Sequence, residues 1–82
     1  MKLYLVSQSE NDNYDTFSSF VVCCETEEEA RNTHPGWGED PWKDDFSHST
    51  WCKLPSAAEV EYIGEAAEDL EKGIVCASFH AG

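Results

Sequence analysis

Nine consecutive residues, Thr16 to Cys24 (Thr-Phe-Ser-Ser-Phe-Val-Val-Cys-Cys), hold no charge, proline or glycine and are rich in β-branched and aromatic side chains. Such a run fits a pleated, half-buried surface and reads as a strand. The period of two places Phe20 and Val22 on one face and Phe17, Val21 and Cys23 on the other. Residues 2–8 (Lys-Leu-Tyr-Leu-Val-Ser-Gln) form a second short apolar run of the same kind. Between them, residues 9–15 are dense in Asn and Asp, which favour turns. The pair therefore reads as an antiparallel hairpin with a long loop.

A change of period follows at Thr26-Glu27-Glu28-Glu29-Ala30-Arg31. Thr26 and Glu29 have capping-box spacing, so their side chains can satisfy orphan N–H groups of a first helical turn. The three glutamates sit at the positive end of the helix dipole, which gives the acidic cluster a structural explanation. His34-Pro35-Gly36 ends the helix after about two turns. Residues 35–50 show neither a helical nor a strand period, and their aromatics argue for a packed loop. Trp51-Cys52-Lys53-Leu54 is expected as a short strand stopped by Pro55. Residues 59–65 read as a further strand with Val60 and Tyr62 facing in and Glu59, Glu61 and Glu65 facing out. Ala66 to Lys72 reads as one helical turn or an irregular acidic connection closed by Gly73. Residues 74–80 form the last strand, with Val75, Ala77 and Phe79 on one side. The expected fold is α+β: a small antiparallel sheet of three to five strands with one main helix packed on one face, in the order β-β-α-(β)-β-(short α)-β, as a single domain over residues 1–82.

Charge bounds the function. Seventeen Asp and Glu face five Lys and Arg, a formal net charge of −12. Such a chain repels phosphate backbones and anionic membranes and meets basic partners faster. Solubility alone is the plainer use of the same charge. Lys2, Arg31, Lys43, Lys53 and Lys72 are scattered, and no Gly-rich phosphate loop is present, so direct nucleic-acid binding is not expected. The opening apolar run is too short for a signal-peptide core, and no stretch has the length of a membrane span, so a cytoplasmic protein is expected.

Cys23, Cys24, Cys52 and Cys76, with His34, His48 and His80, are candidate metal ligands or redox groups. They lack the Cys-x-x-Cys or His-x-x-x-His spacing of a zinc site. The cysteines are expected to be reduced, small, half-buried hydrophobes, with the adjacent Cys23 and Cys24 on opposite faces. Cys76 and His80 would lie about 13 Å apart along a strand, too far for a proton relay. A general acid–base pair needs a cleft that a core this small does not promise. No catalytic residue, metal or cofactor is assigned. Trp37, Glu39, Asp40, Trp42, Asp44 and Asp45 interleave aromatic and acidic groups, the composition of a surface that can recognise a basic partner. A satellite core under the loop is the alternative for the tryptophans.

Three blocks carry a resemblance: Lys2-Leu3-Tyr4-Leu5-Val6-Ser7-Gln8; Thr26-Glu27-Glu28-Glu29-Ala30-Arg31-Asn32-Thr33-His34-Pro35; and Val60-Glu61-Tyr62-Ile63-Gly64-Glu65-Ala66 with Gly73 to Gly82. They resemble those of small uncharacterised proteins encoded by bacteriophages and prophages. That family carries no established activity, so the resemblance assigns no site residue. It implies a phage accessory protein in a bacterial cytoplasm. By size and charge such proteins are similar to inhibitors of bacterial defence, including anti-CRISPR and anti-restriction proteins, some of which imitate DNA with spaced carboxylates. The expected function is thus a non-enzymatic protein that binds a basic site on a host protein, with a small metal-binding or redox protein as one alternative and a soluble interaction module as another.

Overall fold

The computed structural model describes residues 1–11, 16–36, 42 and 50–80. Among these residues four strands form one antiparallel sheet: β1 (Lys2–Ser7), β2 (Thr16–Cys24), β3 (Glu59–Glu65) and β4 (Gly73–His80). Their order is β3-β1-β2-β4, which leaves β3 and β4 at the edges. One short helix, α1 (Glu27–Asn32), follows β2. The small α+β class with an antiparallel sheet is as expected.

The hairpin register pairs Lys2 with Cys24 and Ser7 with Ser19. Tyr4 and Val6 therefore stand beside Val22 and Phe20 on one face, where all four are buried. Gln8 ties the exit of β1 to the start of β2. Its Nε2 donates to Asn11 O (2.7 Å) and Phe17 O (3.0 Å), and its Oε1 accepts from Asn11 N (2.8 Å).

Thr26 caps α1 as its spacing indicates: its hydroxyl oxygen accepts from Glu29 N at 3.1 Å. The helix has only six residues, and its single buried one is Ala30. A helix so short cannot roof a four-stranded sheet. The bulk of the core on this face comes instead from Trp51, which is fully buried with Cys52 and stacks at a tilt on Phe20 (centroids 5.1 Å apart). Phe17 N donates to Thr50 O (2.8 Å), which pins this segment to the start of β2. The core thus sits between the sheet and a patchwork of α1, the segment around Trp51 and a 3-10 turn at Pro55–Ala57.

Four expectations need correction. Trp51 to Leu54 is not a strand, because Trp51 and Cys52 turn both their bulk and their backbone into the core, and Pro55 at once opens the 3-10 turn. The Ala66–Lys72 connection takes the irregular form of the two expected for it, with a turn and no helix. Phe17 packs against the Phe20 and Val22 core and not on the opposite face, because the β2–β4 register shifts between Phe17 and Ser19 and breaks the strict alternation. A second shift puts Ile74 opposite Val22 and Cys76 opposite Val21, so Ile74 takes the place expected for Val75 in line with Ala77 and Phe79. Val60 is half-buried against the core as expected, but Tyr62 is exposed on the edge strand, its ring meeting Tyr4 edge-on at 5.8 Å.

Gly73 opens β4 at φ +136°, a conformation that L side chains rarely adopt. A Cβ there meets no atom within 4 Å, so only the backbone resists substitution. Gly73→Ala is expected to lower stability by about 1–2 kcal/mol, read from the urea midpoint by circular dichroism.

Candidate functional site

An antiparallel sheet returns its strand ends to common poles. The start of β1, the end of β2, the end of β3 and the start of β4 meet at one end, where Lys2 pairs with both Cys24 and Glu65, and Cys23 pairs with Gly73. The acidic segments that follow β2 and β3 are thereby brought together. Glu25, Glu27, Glu28 and Glu29 come from the β2–α1 junction, and Glu65, Glu68, Asp69 and Glu71 from the end of β3 and its link to β4. These eight carboxylates, of seventeen in the chain, face three cations: Lys2, Arg31 and Lys72.

The internal pairing is partial. The Lys72 ammonium contacts Glu29 across the gap between the two acidic segments. That contact, with help from Glu25, holds the Lys72 pKa above its ordinary value. Arg31 lies 3.7 Å from Glu27, while its Nη1 donates to Ala58 O at 2.5 Å. Tyr62 donates its hydroxyl to Glu65 at 3.0 Å, and the hydrogen bond raises the tyrosine pKa. Glu25, Glu28, Glu68, Asp69 and Glu71 are exposed, and no ion pair or side-chain hydrogen bond engages them among the described residues. The pole therefore carries surplus negative charge that is free to act on solution.

Of the interface residues assigned from sequence, Trp37, Glu39, Asp40, Asp44 and Asp45 lie outside the described residues. Trp42 is half-buried against the core. Its Nε1 donates to Asn32 O (2.8 Å) and its ring meets His34 edge-on at 4.7 Å. That tryptophan is itself fastened to the end of α1. The acidic pole escaped the sequence reading because its two halves are about forty residues apart, and the first half already had a role as a helix start.

The cysteines are free thiols. Cys23, Cys24 and Cys52 are buried and Cys76 is exposed. Cys24 belongs to the core cluster and Cys23 does not, as expected of neighbours on opposite faces. Among the described residues no three His, Cys, Asp or Glu side chains converge as a metal site. On the second face, Leu5, Ser19, Val21, Cys76 and Ser78 line a shallow, open depression of about 180 Å³. Among the described residues no helix is long and apolar enough to cross a membrane.

Burial has one measurable consequence for these thiols. Cys52 is pushed up from 9.0 to about 11, first by burial and then by the charge of Glu10. Below pH 9 the thiol is protonated folded and unfolded, and its contribution is intact. As pH rises from 9 toward 11, the unfolded chain ionises first and stability falls. The urea midpoint should drop through this window, and the drop should be shallower in Cys52→Ala.

No protein family model, curated protein or solved structure matches the chain.

Proposed function

We propose that this chain is a non-catalytic binding protein that engages a basic site on a partner protein through the acidic pole of its sheet. The observation that carries the reading is the convergence of eight carboxylates at one end, most of them exposed and five without an internal ion pair or side-chain hydrogen bond. A field of one sign concentrated on one end orients an approaching cation-rich surface and raises the rate of encounter. Diffuse charge of the same total would aid solubility but would not orient a partner. With the resemblance to phage-encoded proteins, the reading extends to a phage accessory protein of the bacterial cytoplasm whose target is a defence nuclease. There the carboxylates would compete for a positively charged DNA channel.

The test is capture from bacterial lysate at low and raised salt. A specific partner with a basic surface, lost as salt rises, is expected. Capture that is indifferent to salt, or no partner at all, would overturn the electrostatic reading.

A further inference from the structure

The two edges of the sheet are unlike. Edge strand β3 (Glu-Val-Glu-Tyr-Ile-Gly-Glu) carries three glutamates and a register irregularity against β1. Both are devices by which natural sheets prevent strands from adding to an edge. Edge strand β4 (Gly-Ile-Val-Cys-Ala-Ser-Phe-His) runs for eight residues without one Asp, Glu, Lys, Arg or Pro. Its large apolar side chains are open: Ile74 is 41% exposed, Val75 47% and Phe79 43%. Its inner side pairs with β2, and its outer side has no strand among the described residues.

We propose that β4 is a dimerisation edge, on which a second copy of this chain adds its own β4 antiparallel about a two-fold axis to form one eight-stranded sheet. Three observations select a second copy over a foreign strand. First, β4 complements itself: an uncharged, β-branched and aromatic strand is what its apolar edge accepts, whereas a basic segment would leave its cations beside Ile74, Val75 and Phe79. Second, the antiparallel arrangement solves the charge problem. The acidic pole lies at the Gly73 end of β4, so pairing Gly73 of one copy near His80 of the other sends the two poles to opposite ends. The seven steps from Gly73 to His80 at strand rise separate them by about 23 Å, nearly three times the Debye length of about 8 Å in physiological salt. A parallel pairing would bring the poles together. Third, each copy has one bare edge and one blunted edge, so association closes at two copies instead of growing into a fibre.

This inference stands apart from the function of the acidic pole, which it leaves exposed twice, once at each end.

The experiment is light scattering of the full chain at physiological salt across the accessible concentration range, with Cys76 as a reporter. The expected mass is twice that of the 9.2 kDa chain. Cys76, exposed in the middle of β4 while Cys23, Cys24 and Cys52 are buried, should link two copies through a short bismaleimide. Val75→Lys places a cation on the shared edge and should give a monomer with an unchanged circular dichroism spectrum. Ile63→Lys, an equally exposed change on β3, should stay dimeric. A chain that is monomeric throughout, a Val75→Lys protein that remains dimeric, or loss of the dimer on Ile63→Lys alone would each overturn the proposal. If Val75→Lys does not fold, the mass of the native chain and the Cys76 cross-link decide.

Discussion

Replacing Trp51 with alanine is expected to cost about 3–5 kcal/mol, the usual range for emptying a buried aromatic site. A chain of 82 residues has a stability of only about 4–12 kcal/mol at the usual ~0.05–0.15 kcal/mol per residue, so this one change removes a quarter of it or more. The size follows from position. Among the described residues Trp51 is the largest fully buried side chain, and it does the filling that the six-residue helix is too short to do. Its ring rests on Phe20, and Cys52, Val6 and Val22 belong to the same cluster. Alanine leaves a cavity where the indole was, and Phe20 loses its aromatic partner as well. Trp51→Phe separates volume from polarity. The indole Nε1 is buried and has no hydrogen-bond partner among the described residues. A buried donor left unpaired costs about 1–3 kcal/mol, and phenylalanine removes it. Trp51→Phe should therefore cost no more than about 1–2 kcal/mol. Urea titrations followed by far-ultraviolet circular dichroism check both values. Equal losses in the two variants would mean that the nitrogen has a role that packing does not describe.

The same residue marks the limit of what the chain's order reveals. Strands β1 and β2 are legible because their apolar runs are short, uncharged and separated by turn formers, and Thr26 is legible because a cap is a local device. The register shifts at Ser18 and Val75 are not legible, since a bulge is set by how two strands meet and not by either alone. They are why Phe17 ends in the core and Val75 gives way to Ile74. Trp51 sits beside Cys52, Lys53 and Leu54, which looks like a strand fragment from within. Long-range bonds fix it as the roof of the sheet: Phe17 N donates to Thr50 O, Asn11 Nδ2 to Trp51 O and Lys53 N to Glu10 Oε1. The acidic pole was hidden for a similar reason. Glu27 to Glu29 had a sufficient local explanation at the helix start, and nothing local joins them to Glu68, Asp69 and Glu71. Antiparallel topology joins them.

That origin allows the proposed function to be tested by place and not by amount of charge. Glu68→Gln with Glu71→Gln removes two carboxylates from the pole, and Glu59→Gln with Glu61→Gln removes two from elsewhere on β3. Both variants fall from −12 to the same net charge of −10. All four glutamates are exposed, and none makes an ion pair or side-chain hydrogen bond among the described residues, so neither variant should lose measurable stability. If the charge serves solubility alone, the variants are equivalent. If the pole orients a basic partner, the first should lose about tenfold in association rate and show a shallower dependence on salt, while the second stays close to the native chain. Surface plasmon resonance against the captured partner, run at several salt concentrations, reads the difference directly. Lys72 sharpens the comparison. It contacts Glu29 and is the cation that bridges the two acidic segments. Lys72→Gln removes that bridging charge and makes the pole one unit more negative, so it should bind the same partner faster, although the chain loses one of its few cations. A slower association in Lys72→Gln would show that the ammonium itself is recognised, and that the partner's site carries negative charge.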